Sequence, residues 1–98
     1  MKILVIGGGS IGRRHAKNLL SLSIETALFD IDAEKVKSFA LENKNPQFSS
    51  LDEALSWGAE GAIVATPHVN HLSVARQALR AGLDVLIEKP ISHNLDGV

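Results

Sequence analysis

Lys2-Ile3-Leu4-Val5-Ile6-Gly7-Gly8-Gly9-Ser10-Ile11-Gly12 decides how the rest of the chain is read. After its first residue the run to Ile6 is apolar on both faces, as in a central parallel strand covered above and below. Glycines stop it, and from Ile11 the apolar residues Ile11, Ala16, Leu19 and Leu20 fall at helical spacing, with Arg13, Arg14, Lys17 and Asn18 between them. A strand therefore passes into a helix through a glycine turn. Gly7, Gly9 and Gly12 occupy the three fixed places of G-x-G-x-x-G. The first makes the tight turn, the second lets the backbone approach a diphosphate, and the third lets helix and sheet pack closely. The helix start at Ser10 and Ile11 then offers free N–H groups and the positive end of a helix dipole to an anion.

Working outward, strand-length apolar runs alternate with helix-period stretches, which predicts a parallel α/β sheet. Thr26 to Phe29 reads as a second strand ending at Asp30. Asp32 is placed to cap a helix with Val36, Ala40 and Leu41 inward and Lys35 and Lys37 outward. Asn43 to Pro46 reads as a turn and Gln47 to Ser49 as a short third strand. Ser50 and Glu53 form a capping box for a short helix over Asp52 to Ser56. Ala62 to Ala65 reads as a fourth strand. Asn70 to Ala81 is a helix with Leu72, Ala75, Ala78 and Leu79 inward and Arg76 and Arg80 outward, closed by Gly82. Val85 to Ile87 is the fifth strand. The expected architecture is one domain over residues 1–98, a doubly wound parallel Rossmann sheet of order 3-2-1-4-5.

Asp30 lies 18 residues after Gly12, close to the offset of roughly 20 at which an acidic side chain meets the ribose hydroxyls of a bound dinucleotide. A carboxylate there accepts from a 2′-OH and repels a 2′-phosphate, which favours NAD over NADP, and no arginine directly follows to hold a phosphate. A glycine turn with an acidic strand end also occurs in S-adenosylmethionine enzymes, so these two features alone leave the ligand open.

Composition narrows the field. The chain has 98 residues, ten basic and eleven acidic, and no cysteine. Near-neutral charge gives no field to draw nucleic acid or an anionic membrane. The lack of thiols removes disulfides and thiolate chemistry, and suits a cytoplasmic setting. The opening apolar run is too short for a signal peptide or a membrane span. His68 and His71 stand three apart, but no acidic cluster accompanies them and no metal site is expected. His15 and His93 are expected to be surface or packing residues, and Trp57 a packing anchor.

Three segments, GGGSIGRRHAKNL (7–19), ATPHVNH (65–71) and ALRAGLDVLIEKPIS (78–92), resemble the glucose–fructose oxidoreductase / inositol dehydrogenase (Gfo/Idh/MocA) family. The resemblance implies a two-domain oxidoreductase whose N-terminal domain binds NAD. Its second domain acts on a hydroxyl-bearing carbon of a sugar, cyclitol or related small molecule. It further implies that Thr66 and Pro67 lie beside the cofactor and that His71 matches the histidine opening the next helix. Glu88 and Lys89 are then expected at the nicotinamide end, with Lys89 catalytic, and Pro90 in the turn after them. The acid–base histidine and aspartate of the second domain have no counterpart here, so the chain alone is expected to bind cofactor without turning over. Asn94 to Val98 reads as a capped helix start of one turn, too short to recover its nucleation cost, and we expect a fragment of a longer chain. A non-catalytic NAD-sensing module is the alternative, and Glu88-Lys89-Pro90 argues against it. A fifth strand left uncovered at the sheet edge predicts a homo-oligomer through that edge.

Overall fold

The structure is a computed structural model that describes residues 1–66 and 68–87, the side chains of residues 68–71 excepted. Its elements run β1 (Lys2–Ile6), α1 (Ser10–Ser21), β2 (Glu25–Phe29), α2 (Glu34–Asn43), α3 (Leu51–Leu55), β3 (Gly61–Val64), α4 (His68–Arg80) and β4 (Asp84–Ile87). The strands form one parallel sheet of order β2-β1-β3-β4. From β1 the chain steps one way to β2 through α1, and from β3 the other way to β4 through α4. Right-handed crossovers in opposite directions put their helices on opposite faces. The residues confirm this. Val5 and Leu28 pack with Ala16, Val36 and Phe39 of α1 and α2, whereas Leu4, Ile6, Ala27, Phe29, Ala62 and Val64 pack with Ala54, Ala75 and Ala78 of α3 and α4. The reversal of strand order falls at β1, the position where open α/β sheets form a crevice.

This is the expected order without its third strand, because Gln47 to Ser49 forms no strand. Competing bonds explain the difference. The Ser49 N–H donates to Glu53 Oε1 at 2.5 Å, and the Asn45 side-chain amide donates to the Thr26 carbonyl of β2 at 2.6 Å. Phe48 turns inward, with its ring edge-on to Trp57 at 6.1 Å. Backbone groups that would build a fifth strand are used as a cap, and a side chain takes the edge of β2. Trp57 is the packing anchor expected of it, and the Lys2 ammonium also sits 4.9 Å from its ring.

The helix starts and stops follow the sequence closely. Ser50 Oγ accepts the Glu53 N–H at 3.1 Å, with the reciprocal Glu53 carboxylate reaching Ser49 instead of Ser50. Asp32 Oδ1 accepts the Glu34 N–H at 3.1 Å from one residue outside the cap position, which Ala33 occupies. Gly82, at φ +90°, ends α4.

Three inward assignments are corrected. Leu41, Leu72 and Leu79 are exposed, as is Ile11 in α1. In each helix small or neighbouring side chains take the contact: Gly12 and Ala16 in α1, Val36, Phe39 and Ala40 in α2, Ala75 and Ala78 in α4. Short side chains bring a helix close to its sheet, and a leucine one step further round is lifted off it. Among the described residues no helix is long and apolar enough to cross a membrane.

Candidate functional site

The glycine turn joins β1 to α1 at the C-terminal edge of the sheet. Gly7 leaves the strand at φ +124°, and its N–H donates to the Phe29 carbonyl at 2.7 Å. A Cβ there would stand 2.6 Å from the carbonyl carbon and oxygen of Ala65. Gly12 is tighter still, since a Cβ would overlap the Gly7 carbonyl oxygen. The first and third glycines are thus required by the protein's own packing.

Gly9 is different. It caps α1 in ordinary extended geometry (φ −75°, ψ −172°), and a Cβ would meet nothing within 4 Å. No internal contact demands a glycine here. What its missing side chain leaves open is the space in front of the first amides of α1, a turn that carries no acidic residue and no side-chain cap. The amides of that turn are open to a group approaching from outside.

Asp30 closes the other side. One carboxylate oxygen accepts the Gly8 N–H at 2.7 Å and the other accepts the Asp32 N–H at 2.8 Å. The side chain is half-buried and held between the glycine turn and the loop after β2. A carboxylate has about four lone-pair sites, so each oxygen keeps an acceptor position after these two bonds. The Gly8 amide is spent on this contact and is not free for an anion.

Beside Asp30, a cavity of about 450 Å³ lies over the ends of β1 and β2, walled by Ile31, Leu51, Thr66, Val74 and Gln77. That volume suits a small ligand or part of a dinucleotide. Thr66 Oγ1 is buried and has no hydrogen-bond partner among the described residues. Buried polar atoms are nearly always paired, so an unpaired one at a cavity wall marks a place for a ligand's donor or acceptor. Arg13, Arg14 and Lys17 line a separate groove between α1 and α2 with Ser10 and Glu42. They do not converge on Asp30.

Gly7, Gly9, Ser10, Ile11, Gly12, Asp30 and Thr66 therefore come together where the sheet order reverses. Pro67, Glu88, Lys89 and Pro90 lie outside the described residues, as does the His71 side chain, although His71 itself belongs to the first turns of α4. Sequence reasoning missed two walls of the cavity. Ile31 is 90 % exposed, and an apolar residue immediately after an acidic strand end was the available signal. Leu51 opens α3, the helix announced by the Ser50 cap, but which way that first residue faces required the fold.

A parallel doubly wound sheet with this turn and this acid is a Rossmann-type nucleotide-binding fold. The family described as "Oxidoreductase family, NAD-binding Rossmann fold" (GFO_IDH_MocA) matches residues 1–98, and the chain belongs to it. It is 36 % identical to UDP-N-acetylglucosamine 3-dehydrogenase of Acidithiobacillus ferrooxidans, over 94 % of this chain and 29 % of that protein. A crystal form of that dehydrogenase superimposes with a TM-score of 0.85, over 94 % of this chain and 30 % of the solved one. Glucose-6-phosphate 3-dehydrogenase of Bacillus subtilis is 35 % identical over 97 % of this chain and 27 % of its own length. The structure of GenD2 from gentamicin A biosynthesis, a complex with NAD, gives a TM-score of 0.81 at 32 % identity, over 93 % of this chain and 27 % of that one. The chain spans less than a third of the length of these relatives.

Proposed function

We propose that this chain is the cofactor-binding part of an NAD-dependent dehydrogenase that moves a hydride between NAD and a hydroxyl-bearing carbon of a sugar, cyclitol or related small molecule. The observation that carries the reading is the pairing of Gly9 with Asp30. One is a glycine with no internal reason to be one, and the other is a carboxylate fixed in place with acceptor positions to spare. In this reading the first amides of α1 hold the diphosphate. Asp30 accepts from both hydroxyls of the adenosine ribose, and Ile31 and Leu51 flank the adjoining base. The bound nicotinamide supplies the hydride chemistry, while the protein binds and orients it. By the family resemblance Lys89 is expected at the nicotinamide end, where it would move or orient a proton of the substrate hydroxyl. The named relatives are dehydrogenases, which supports the enzyme over a sensing module.

Asp30 is tied to Gly8 and Asp32 and cannot swing aside to admit a 2′-phosphate. NAD is therefore the preferred cofactor and NADP the weaker one. Titrating the chain with NADH and with NADPH tests this, and NADH is expected to bind at least about tenfold tighter, a difference of about 1.4 kcal/mol. Asp30→Ala is expected to remove that preference. Equal affinities in the unaltered chain, or a thermal shift with S-adenosylmethionine and none with NADH, would overturn the reading. No turnover of a sugar alcohol is expected from these 98 residues alone.

A further inference from the structure

Most polar groups around the Asp30 cavity belong to its β2 side or to the glycine turn. Asp30 accepts from the Gly8 and Asp32 amides, and Asp32 accepts from the Glu34 N–H. Lys35 lies on the same side, since a Cβ added to Gly8 would stand 3.0 Å from the Lys35 Cβ. Thr66 borders the glycine turn, where a Cβ on Gly7 would come within 2.9 Å of the Thr66 nitrogen. In the dinucleotide reading these groups face the ribose and the diphosphate.

Gln77 of α4 stands on a different wall. It is half-buried, and among the described residues its side-chain amide makes no hydrogen bond. Ser73, one turn earlier, is exposed. Helix geometry accounts for the placement. Ala75 and Ala78 are buried against the sheet, and Val74 and Gln77, three residues apart, share the flank turned to the cavity. Gln77 also borders a neighbouring groove, with Asp52, Leu55 and Ser56 of α3 and its end. It therefore stands on the α3 side of the cavity, where Leu51 opens that helix. Leu51 and Ile31 are the apolar walls that flank the base. Stacking of a base explains apolar walls, but not a half-buried amide among them.

A glutamine amide carries a donor and an acceptor side by side. Adenine presents the same pair reversed. Its exocyclic amino group donates, and a ring nitrogen on either side of that group, N1 or N7, accepts. Asn and Gln read adenine in nucleic acids through such a two-bond match. We infer that Gln77 pairs with the amino group and an adjoining ring nitrogen of adenine, and so sets which base the site accepts. This assignment rests on the dinucleotide reading of the cavity. It gives α4 the choice of base, separate from the choice of ribose made at Asp30.

The test compares NAD with its etheno derivative, whose extra ring bridges N1 and the amino nitrogen and removes the amino hydrogens. Both are titrated into the unaltered chain and into Gln77→Leu. The unaltered chain is expected to bind NAD about tenfold tighter than the derivative, the worth of one or two hydrogen bonds. Gln77→Leu should weaken NAD about tenfold and change the derivative by less than about twofold, so that the preference largely disappears. Leucine keeps the helix propensity of the position. If circular dichroism shows that variant unfolded, Gln77→Ala replaces it with the same outcome expected. No preference in the unaltered chain, an NAD affinity unchanged by the substitution, or equal losses for both ligands would overturn the assignment alone. An unaltered chain that binds neither ligand would overturn the dinucleotide reading as well.

Discussion

The two halves of the sheet are built on different terms. In β1 and β2, the residues Leu4, Val5, Ile6, Ala27, Leu28 and Phe29 are all buried, and the outer edge of β2 is met by the Asn45 amide. In β3 and β4, Leu86 and the two α4 leucines face outward and the outer edge is bare among the described residues. The first half holds the glycine turn, Asp30 and most of the cavity, and it is closed without help. What the contrast teaches is that the cofactor end is fixed by internal packing, whereas the β4 border carries leucines that the described residues leave exposed. Substitutions at the packed positions of the first half should therefore act on folding and binding together, and those of the exposed leucines at the β4 border on neither.

The largest effect is expected at Gly12. In an exposed helix, glycine to alanine gains up to about 1 kcal/mol. Here the added methyl overlaps the Gly7 carbonyl, so Gly12→Ala should instead cost about 3 kcal/mol or more and abolish NADH binding with it. Thermal melts and a titration check both. Asn45→Ala comes next. It leaves the Thr26 carbonyl unpaired at the edge of a fully buried residue, a loss of about 1–3 kcal/mol in urea unfolding.

How far the sequence revealed this depends on what each residue answers to. The glycine turn, the strand-end acid and the Ser50 cap were legible because each satisfies its backbone within a few residues. The third strand was not. Gln47 to Ser49 looks extended, but its fate rests on Glu53 and Asn45 competing for the same backbone groups. Leu72 and Leu79 were misplaced for a related reason. Periodicity identifies an apolar stripe and is silent on how wide it is, and alanines at Ala75 and Ala78 draw the contact to themselves. The carboxylate of Asp30 was placed correctly at the crevice, but its bond to the Gly8 amide required the fold.

A substitution one turn away from Gly12 separates stability from binding. Gly9→Ser introduces a favoured cap residue at a position whose backbone is already extended and whose surroundings are empty. It should leave the melting temperature unchanged or raise it slightly, by roughly a few tenths of a kcal/mol of stability, while weakening NADH at least about tenfold as the side chain enters the space for the diphosphate. An internal role for Gly9 predicts the reverse, with lost stability and intact affinity. The smallest effect is expected at the open border, where Leu72→Ser should change stability by no more than about 0.5 kcal/mol and leave NADH affinity alone. A Leu72→Ser chain that melts several degrees lower would mean that α4 uses this leucine internally, and the distinction between a closed half and an open one would fail on that side.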